Sequence, residues 1–129
     1  LFEKYERCSY RGELKPEEVP SVIVHSDLLL LPTYYSGEGY PGIILESLQC
    51  GTPVITTYWQ DITEIIQDGV DGLLVRPRSV KEIVDAVLRL RDDSQLYNKI
   101  VEGTLIRGEF FRTTKWHQTI EKKLFELVH

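Results

Sequence analysis

Three short strand-like runs, Leu28 to Leu31, Val54 to Thr57 and Leu73 to Val75, alternate with stretches whose apolar residues recur at helical spacing. The first is continuous leucine closed by Pro32, and the second is β-branched throughout. Such runs suit parallel strands, whose crossover helices cover both faces of the sheet. The alternation predicts βαβ units with right-handed connections. The expected fold is therefore α/β, a doubly wound parallel sheet with Rossmann-like units, with Asp27 to Leu31 a strand buried on both faces. Ligands of such sheets bind beyond the carboxyl ends of the strands. That directs attention to the loop after Leu31.

The remaining elements follow the same grammar. Cys8 to Arg11 reads as a further short strand ending at Gly12. Pro16-Glu17-Glu18 opens a helix with Val19, Val22 and Ile23 on its apolar face, and Pro20 delays or kinks its start. A helix from Gly42 to Cys50 is expected to stop at Gly51. Asp61-Ile62-Thr63-Glu64 and Ser79-Val80-Lys81-Glu82 have the form of capping boxes. The first precedes a short helix bearing Ile62, Ile65 and Ile66. The second precedes an amphipathic helix with Val80, Ile83, Val84, Val87 and Leu88 on one face. Asp68-Gly69 and Asp71-Gly72 mark a turn, and two more helices are expected towards the C-terminus, the last with Trp116, Ile120, Leu124 and Val128 on one face.

At 129 residues and 42% hydrophobic content the chain is expected to form one domain, 1–129, with a real core, which excludes intrinsic disorder. No run nears the ~18 apolar residues of a spanning helix. Leu1 to Arg7 do not read as a signal peptide; with no methionine and a leucine opening in mid-pattern, the chain reads as a piece of something longer. Residues 1–75 carry four basic side chains against twelve acidic, and residues 76–129 eleven against eight. Neither half is the cationic footprint of a nucleic-acid binder, so no nucleic-acid partner is expected. The basic residues of 76–129 read as a solvated helical face, with a membrane-surface role as the alternative. Cys8 and Cys50 lack metal-ligand spacing and read as reduced, buried and cytosolic. His25 reads as a capping or surface residue, and His117 and His129 as solvent-facing.

The most unusual stretch runs from Pro32 to Glu46, with three glycines and Glu38 in the loop and Glu46 about one turn into the helix. Glycines permit close backbone approach, and a helix N-terminus offers unpaired N–H groups to an anion. Pro41 has no N–H, so Gly42 and Ile43 are the better donors. A carboxylate there accepts two hydroxyl hydrogen bonds at once, which suits a vicinal diol such as a ribose. The local chemistry favours a ligand with both phosphate and sugar hydroxyls. Tyr34, Tyr35 and Tyr40 read as loop packing before sugar stacking.

Glu38-Gly39-Tyr40-Pro41 through Glu46 resembles the E-x7-E signature of retaining glycosyltransferases of the GT-B fold, family 4 or glycosyl transferases group 1. The resemblance continues in Gly51-Thr52-Pro53-Val54-Ile55, in Glu64-Ile65-Ile66-Gln67-Asp68-Gly69 with Gly72-Leu73-Leu74-Val75, in Tyr10-Arg11-Gly12 with Glu17-Glu18-Val19, and in Trp116. It implies one half of a GT-B architecture, the C-terminal donor-binding domain. By that resemblance Glu46 binds the ribose of a nucleotide-sugar such as a UDP- or GDP-sugar. Glu38 lies beside the reacting end of the donor sugar, as the catalytic-side residue. The N–H groups of Gly39, Tyr40, Gly42 and Ile43 meet sugar and phosphate, and Arg11 and Gly12 lie near the base. The reaction implied is retaining transfer of a hexosyl-type sugar to a glycan, lipid or polysaccharide acceptor. No cofactor or metal is expected, in keeping with the lack of a convincing Asp-x-Asp pair; Asp92-Asp93 and Asp68/Asp71 sit at turns and helix ends.

Two departures from the family pattern bear on function. Tyr58-Trp59-Gln60-Asp61 stands where glycines are common, and residues 16–75 contain no Lys or Arg. The family neutralises the donor diphosphate with an Arg and a Lys upstream of Leu1. With these and the acceptor domain absent, the chain alone is expected to be inactive. The full-length protein is expected in the cytoplasm, with peripheral association at the inner face of the membrane as a further expectation. The alternative is a non-catalytic nucleotide-binding or regulatory α/β module; a phosphoacceptor receiver fits poorly, because Asp27 starts a strand and Lys81 follows a turn. A paired-carboxylate glycosidase leaves the glycine loop unexplained.

Overall fold

A computed structural model of the chain describes residues 5–128, excepting the side chains of 113–117, 127 and 128. Its centre is a three-stranded parallel sheet in the order β1 (Leu29–Leu31), β2 (Val54–Thr57) and β3 (Leu73–Val75). Leu29 is in register with Val54, and Ile55 with Leu73. The helices are α1 (Val19–Val24), α2 (Gly42–Cys50), α3 (Ile62–Ile65), α4 (Val80–Asp92), α5 (Ser94–Phe110) and α6 (Thr113–Val128).

Alternation along β2 and β3 builds two cores, one on each face of the sheet. Val54 and Leu74 join Ile44 and Leu48 of α2 and Ile62 and Ile65 of α3. Ile55, Leu73 and Val75 point the other way, onto Ala86 and Leu90 of α4 and Ile100 of α5. Each fully buried Ile or Leu stabilises the fold by about 1.5–3 kcal/mol. The doubly wound α/β expectation holds, and the bounds of α2, β2 and β3 are those expected from sequence.

Other expectations are corrected. Cys8 to Arg11 forms no strand, because neither edge of the sheet pairs with it and a lone extended segment has no ladder to join. β1 starts at Leu29 rather than Asp27 and is not buried on both faces: as an edge strand among the described residues it leaves Leu30 43% exposed. The α1 helix begins at Val19 with Pro20 in its first turn, the delay that proline imposes. Inward residues of α4 are Ile83, Ala86, Val87 and Leu90, whereas Val80, Val84 and Leu88 are exposed. Helical periodicity leaves two adjoining ridges to choose between, and small Ala86 lets α4 close on the strands. Ile120 and Leu124 of α6 are exposed as well; the side chains of Trp116, His117 and Val128, and all of His129, lie outside the described residues. Both cysteines are free, but Cys8 is exposed and Cys50 half-buried.

The α5 helix bridges the two faces. Its first half joins the core under α4, and its second half lies across α2. Two glycines make that crossing close: a Cβ at Gly103 would strike the Val70 carbonyl, and one at Gly108 the Leu48 carbonyl. Gly108→Ala should therefore force α5 off α2 and destabilise the fold by about 1–3 kcal/mol. A urea midpoint unchanged from wild type would overturn this reading of the contact.

Candidate functional site

The loop between β1 and α2 is built by side chains of β2 and its continuation. The Thr56 hydroxyl donates to the Leu31 carbonyl at 2.8 Å and the Thr57 hydroxyl to the Thr33 carbonyl at 2.5 Å. The Trp59 indole N–H then donates to the Tyr35 carbonyl at 2.8 Å, and the Gln60 amide to the Ser36 carbonyl at 2.9 Å. Four donors from residues 56–60 thus hold four carbonyls from residues 31–36, extending the pairing of β1 and β2 beyond the end of the sheet. Gln60 adopts a left-handed backbone (φ +40) in doing so.

Glu38 is half-buried at the far side of this loop, and its carboxylate accepts from the Thr33 hydroxyl at 2.9 Å. The same hydroxyl accepts from the Tyr35 N–H, so Thr33 fixes both the loop backbone and the carboxylate. Gly39 and Gly42 face open space. α2 starts directly after Pro41 with no side-chain cap, which leaves the Gly42 and Ile43 N–H groups free of intrahelical acceptors. Glu46 is exposed on α2 one turn from its start and has no hydrogen bond or ion pair among the described residues. Its charge, after burial, helps to raise the pKa of the Cys50 thiol one turn further on.

A second wall comes from α3 and α5. The Tyr40 hydroxyl donates to Glu64 at 2.5 Å, a bond that raises the phenol pKa. Glu64 so engaged does not close a capping box, and Asp61 makes no side-chain cap either. The second expected box forms by half: the Ser79 hydroxyl accepts from the Glu82 N–H at 3.4 Å, while the Glu82 carboxylate turns to Arg76. Arg107 of α5 reaches under α3, donating to the carbonyls of Ile65 and Glu64, and stands 3.8 Å from Asp71. Asp71 accepts from the Gln67 N–H at 2.6 Å, and burial raises its carboxyl pKa against the pull of that bond and of Arg107.

The structure thus brings Glu38, Gly39, Tyr40, Gly42, Ile43 and Glu46 onto one loop and helix start. Arg11 and Gly12 lie in an exposed irregular stretch, Gly12 with φ +74, and Arg11 has no hydrogen bond or ion pair to that loop among the described residues. Tyr34, Tyr35 and Tyr40 are largely exposed, yet each has a neighbour: Tyr34 meets Arg78, the Tyr35 ring lies against Gly37, and Tyr40 bonds Glu64. His25 caps α1 as expected, its ring against the Ser21 carbonyl. Sequence reading missed the roles of Thr33, Trp59, Gln60 and Arg107; the aromatic Tyr58-Trp59 pair in place of glycine was the available signal. Among the described residues no cluster of three or more metal-ligating side chains occurs, and no helix is long and apolar enough to cross a membrane.

A parallel α/β sheet with a glycine-bearing loop and an open helix start at a strand end is the arrangement in which α/β proteins place their ligands. The chain belongs to the glycosyl transferases group 1 family, whose sequence profile matches residues 2–93. It is 32% identical over 98 residues to the alpha-D-kanosaminyltransferase of Streptomyces kanamyceticus, covering 76% of this chain and 25% of that protein. It is 30% identical over 122 residues to the chitobiosyldiphosphodolichol beta-mannosyltransferase of Candida albicans, covering 92% and 26%. The chain thus spans about a quarter of the length of these relatives. Among solved structures it is similar to Anabaena HepE in complex with UDP and glucose, with TM-score 0.81 and 23% identity over 95% of this chain and 33% of that one. It is also similar to the C-terminal domain of a glycosyl transferase group 1 protein from Francisella tularensis, with TM-score 0.66 and 27% identity over 81% and 51%. The fold is that of the GT-B glycosyltransferases.

Two outcomes test the second wall. Arg107→Leu should cost about 2 kcal/mol, the weight of hydrogen bonds from a charged donor, and show as a lowered urea midpoint. Asp71 gives a pH signature. Because its native pKa is raised, the native state holds that proton more tightly than the unfolded chain. This stabilisation is complete below the ordinary carboxylate range and is lost as pH rises through the raised value. The stability of wild type relative to Asp71→Asn should therefore fall as pH is raised from about 4. A flat difference would remove burial as the dominant influence on Asp71.

Proposed function

We propose that this chain is the donor-binding half of a retaining glycosyltransferase, taking a hexosyl-type sugar from a UDP- or GDP-sugar for transfer to a glycan, lipid or polysaccharide acceptor. The observation that carries the reading is the open, uncapped start of α2 flanked by two carboxylates. Glu38 is held in place by Thr33, and Glu46 has no partner among the described residues. Free N–H groups at Gly42 and Ile43 suit a phosphate. Glu46, one turn in, suits the two ribose hydroxyls. Glu38 then meets hydroxyls of the donor sugar, whose bond to phosphate breaks as the acceptor oxygen takes its place. The ligands in the HepE complex, UDP and glucose, are of this class.

The same reading holds that a further domain supplies the acceptor site, that the cations facing the diphosphate come from upstream strands, and that 1–129 alone transfers no sugar. It needs no metal, since the sequence offers no convincing Asp-x-Asp pair. Arg11 and Gly12 are assigned to the base only by resemblance.

Titration with UDP, GDP and their sugars, followed by saturation-transfer NMR, tests the proposal. Glu46→Ala should lose the ribose contacts and weaken binding about tenfold, the weight of one charge-assisted hydrogen-bond pair. Glu38→Gln should change the contacts to the sugar and leave those to UDP. Undiminished ribose contacts in Glu46→Ala would overturn the assignment. Nucleotide binding by a full-length protein that transfers no sugar would favour a regulatory α/β module.

A further inference from the structure

Beside the loop lies an open groove of about 510 Å³ lined by Pro32, Thr33, Tyr34, Tyr35, Trp59 and Arg78. Three aromatic side chains line it. Tyr34 and Tyr35 are largely exposed, and Trp59 is half-buried with its N–H fixed on the Tyr35 carbonyl. Arg78 comes from the turn after β3 and lays its guanidinium 4.7 Å from the centre of the Tyr34 ring. Its backbone is left-handed (φ +64), a conformation that costs a non-glycine residue about 1–3 kcal/mol. Yet the guanidinium has no carboxylate partner among the described residues, whereas the neighbouring Arg76 is paired with Glu82. A strained backbone that sets a guanidinium against an aromatic ring, with no carboxylate to neutralise it among the described residues, positions that charge for an anion from outside the fold.

We propose that this groove binds a pyranose carrying an anionic group, a carboxylate or a phosphate, and adds a subsite next to Glu38 to the acceptor site that the further domain supplies. A sugar ring offers an apolar C–H face to the aromatic walls and hydroxyls at its edge, the two surfaces this groove presents. Thr33 lines the groove and carries Glu38 on its hydroxyl, so that end receives sugar hydroxyls and repels an anion. The anionic substituent therefore points to Arg78, whose planar fork pairs carboxylate and phosphate in two parallel hydrogen bonds. The acceptor-side role rests on the glycosyltransferase reading; the saccharide site itself does not.

The test follows the Trp59 indole N–H resonance during titration with glucuronic acid, glucose 6-phosphate, methyl glucoside and inorganic phosphate. The two anionic sugars should bind about tenfold tighter than methyl glucoside, the weight of one charge-assisted contact. Arg78→Gln should bring them down to the neutral sugar, and Tyr34→Ala should weaken all three sugars. Arg78→Gly, which relaxes the backbone, should lose the anion preference without loss of stability. Equal affinity for anionic and neutral sugars would overturn the assignment of Arg78. Inorganic phosphate binding as tightly as glucose 6-phosphate would reduce the groove to an anion site and overturn the saccharide. Nucleotide-sugar titrations of the same samples separate the two proposals. Anionic sugar binding without nucleotide-sugar binding, the latter repeated on the full-length protein with its upstream cations, leaves the groove standing and removes the donor reading; nucleotide-sugar binding without anionic sugar binding removes the groove.

Discussion

Everything at the candidate site depends on β2. Its four residues are buried, so its backbone is committed to β1 and β3 and its alternate side chains to the two cores. Thr56 and Thr57 sit in this dry setting, where an unpaired hydroxyl would be costly. Each finds its acceptor on the chain leaving β1. That solves two problems together. The buried hydroxyls are satisfied, and a loop with three glycines, which would otherwise lose much conformational freedom on ordering, is held at fixed height above the strand end. Trp59 and Gln60 continue the same stitching onto Tyr35 and Ser36. The open start of α2 and the half-buried Glu38 inherit their positions from it.

The α5 helix gives the site its second constraint. Gly103 and Gly108 remove the two side chains that would hold α5 away from the turn at Val70 and from α2. Buried Thr104 donates to the Asp71 carbonyl from the same helix, and Arg107 spends its donors on the last carbonyls of α3. Cations at a helix C-terminus complement its dipole, so Arg107 does for α3 what a short helix cannot do for itself. Glu64 is thereby set to receive Tyr40. The contacts running from Asp71 through Arg107 and Glu64 to Tyr40 tie a late helix to the site loop.

How much of this could be read in advance follows from the range of each interaction. The bounds of α2 were legible because both ends are local: Pro41 starts it, and Gly51 ends it in the left-handed conformation only glycine takes cheaply. β2 and β3 were legible because β-branched and leucine runs match strands covered on both faces. Leu29 to Leu31 follow the same pattern, yet they form an edge strand with Leu30 exposed; burial depends on neighbours in the sheet, which a run of leucines does not name. The box at Asp61 failed because Glu64 was claimed by Tyr40, 24 residues away in sequence. Glu38 and Glu46 were singled out by motif spacing, and the structure sets them on one loop and helix start. Trp59, Gln60 and Arg107 act through backbone carbonyls, and carbonyls leave no trace in a sequence.

Charge is where sequence and structure agree most usefully. Residues 16–75, which hold the sheet and the whole E-x7-E segment, contain no Lys or Arg. Among the described residues, the cations at the loop and at its second wall, Arg78 and Arg107, come from the basic second half. Arg107 is occupied by two carbonyls and stands near Asp71, whereas Arg78 rests on Tyr34 alone. A diphosphate on the start of α2 would meet N–H groups and a helix dipole worth roughly half a charge, with two carboxylates on either side. That is little to set against the two charges of a dianion at an exposed helix start. Full affinity for a nucleotide-sugar thus calls for cations beyond residues 16–75. On the proposed reading the N–H groups of Gly42 and Ile43 therefore share the phosphates with cations from elsewhere, while Glu38 and Glu46 face the hydroxyl-rich parts of the ligand.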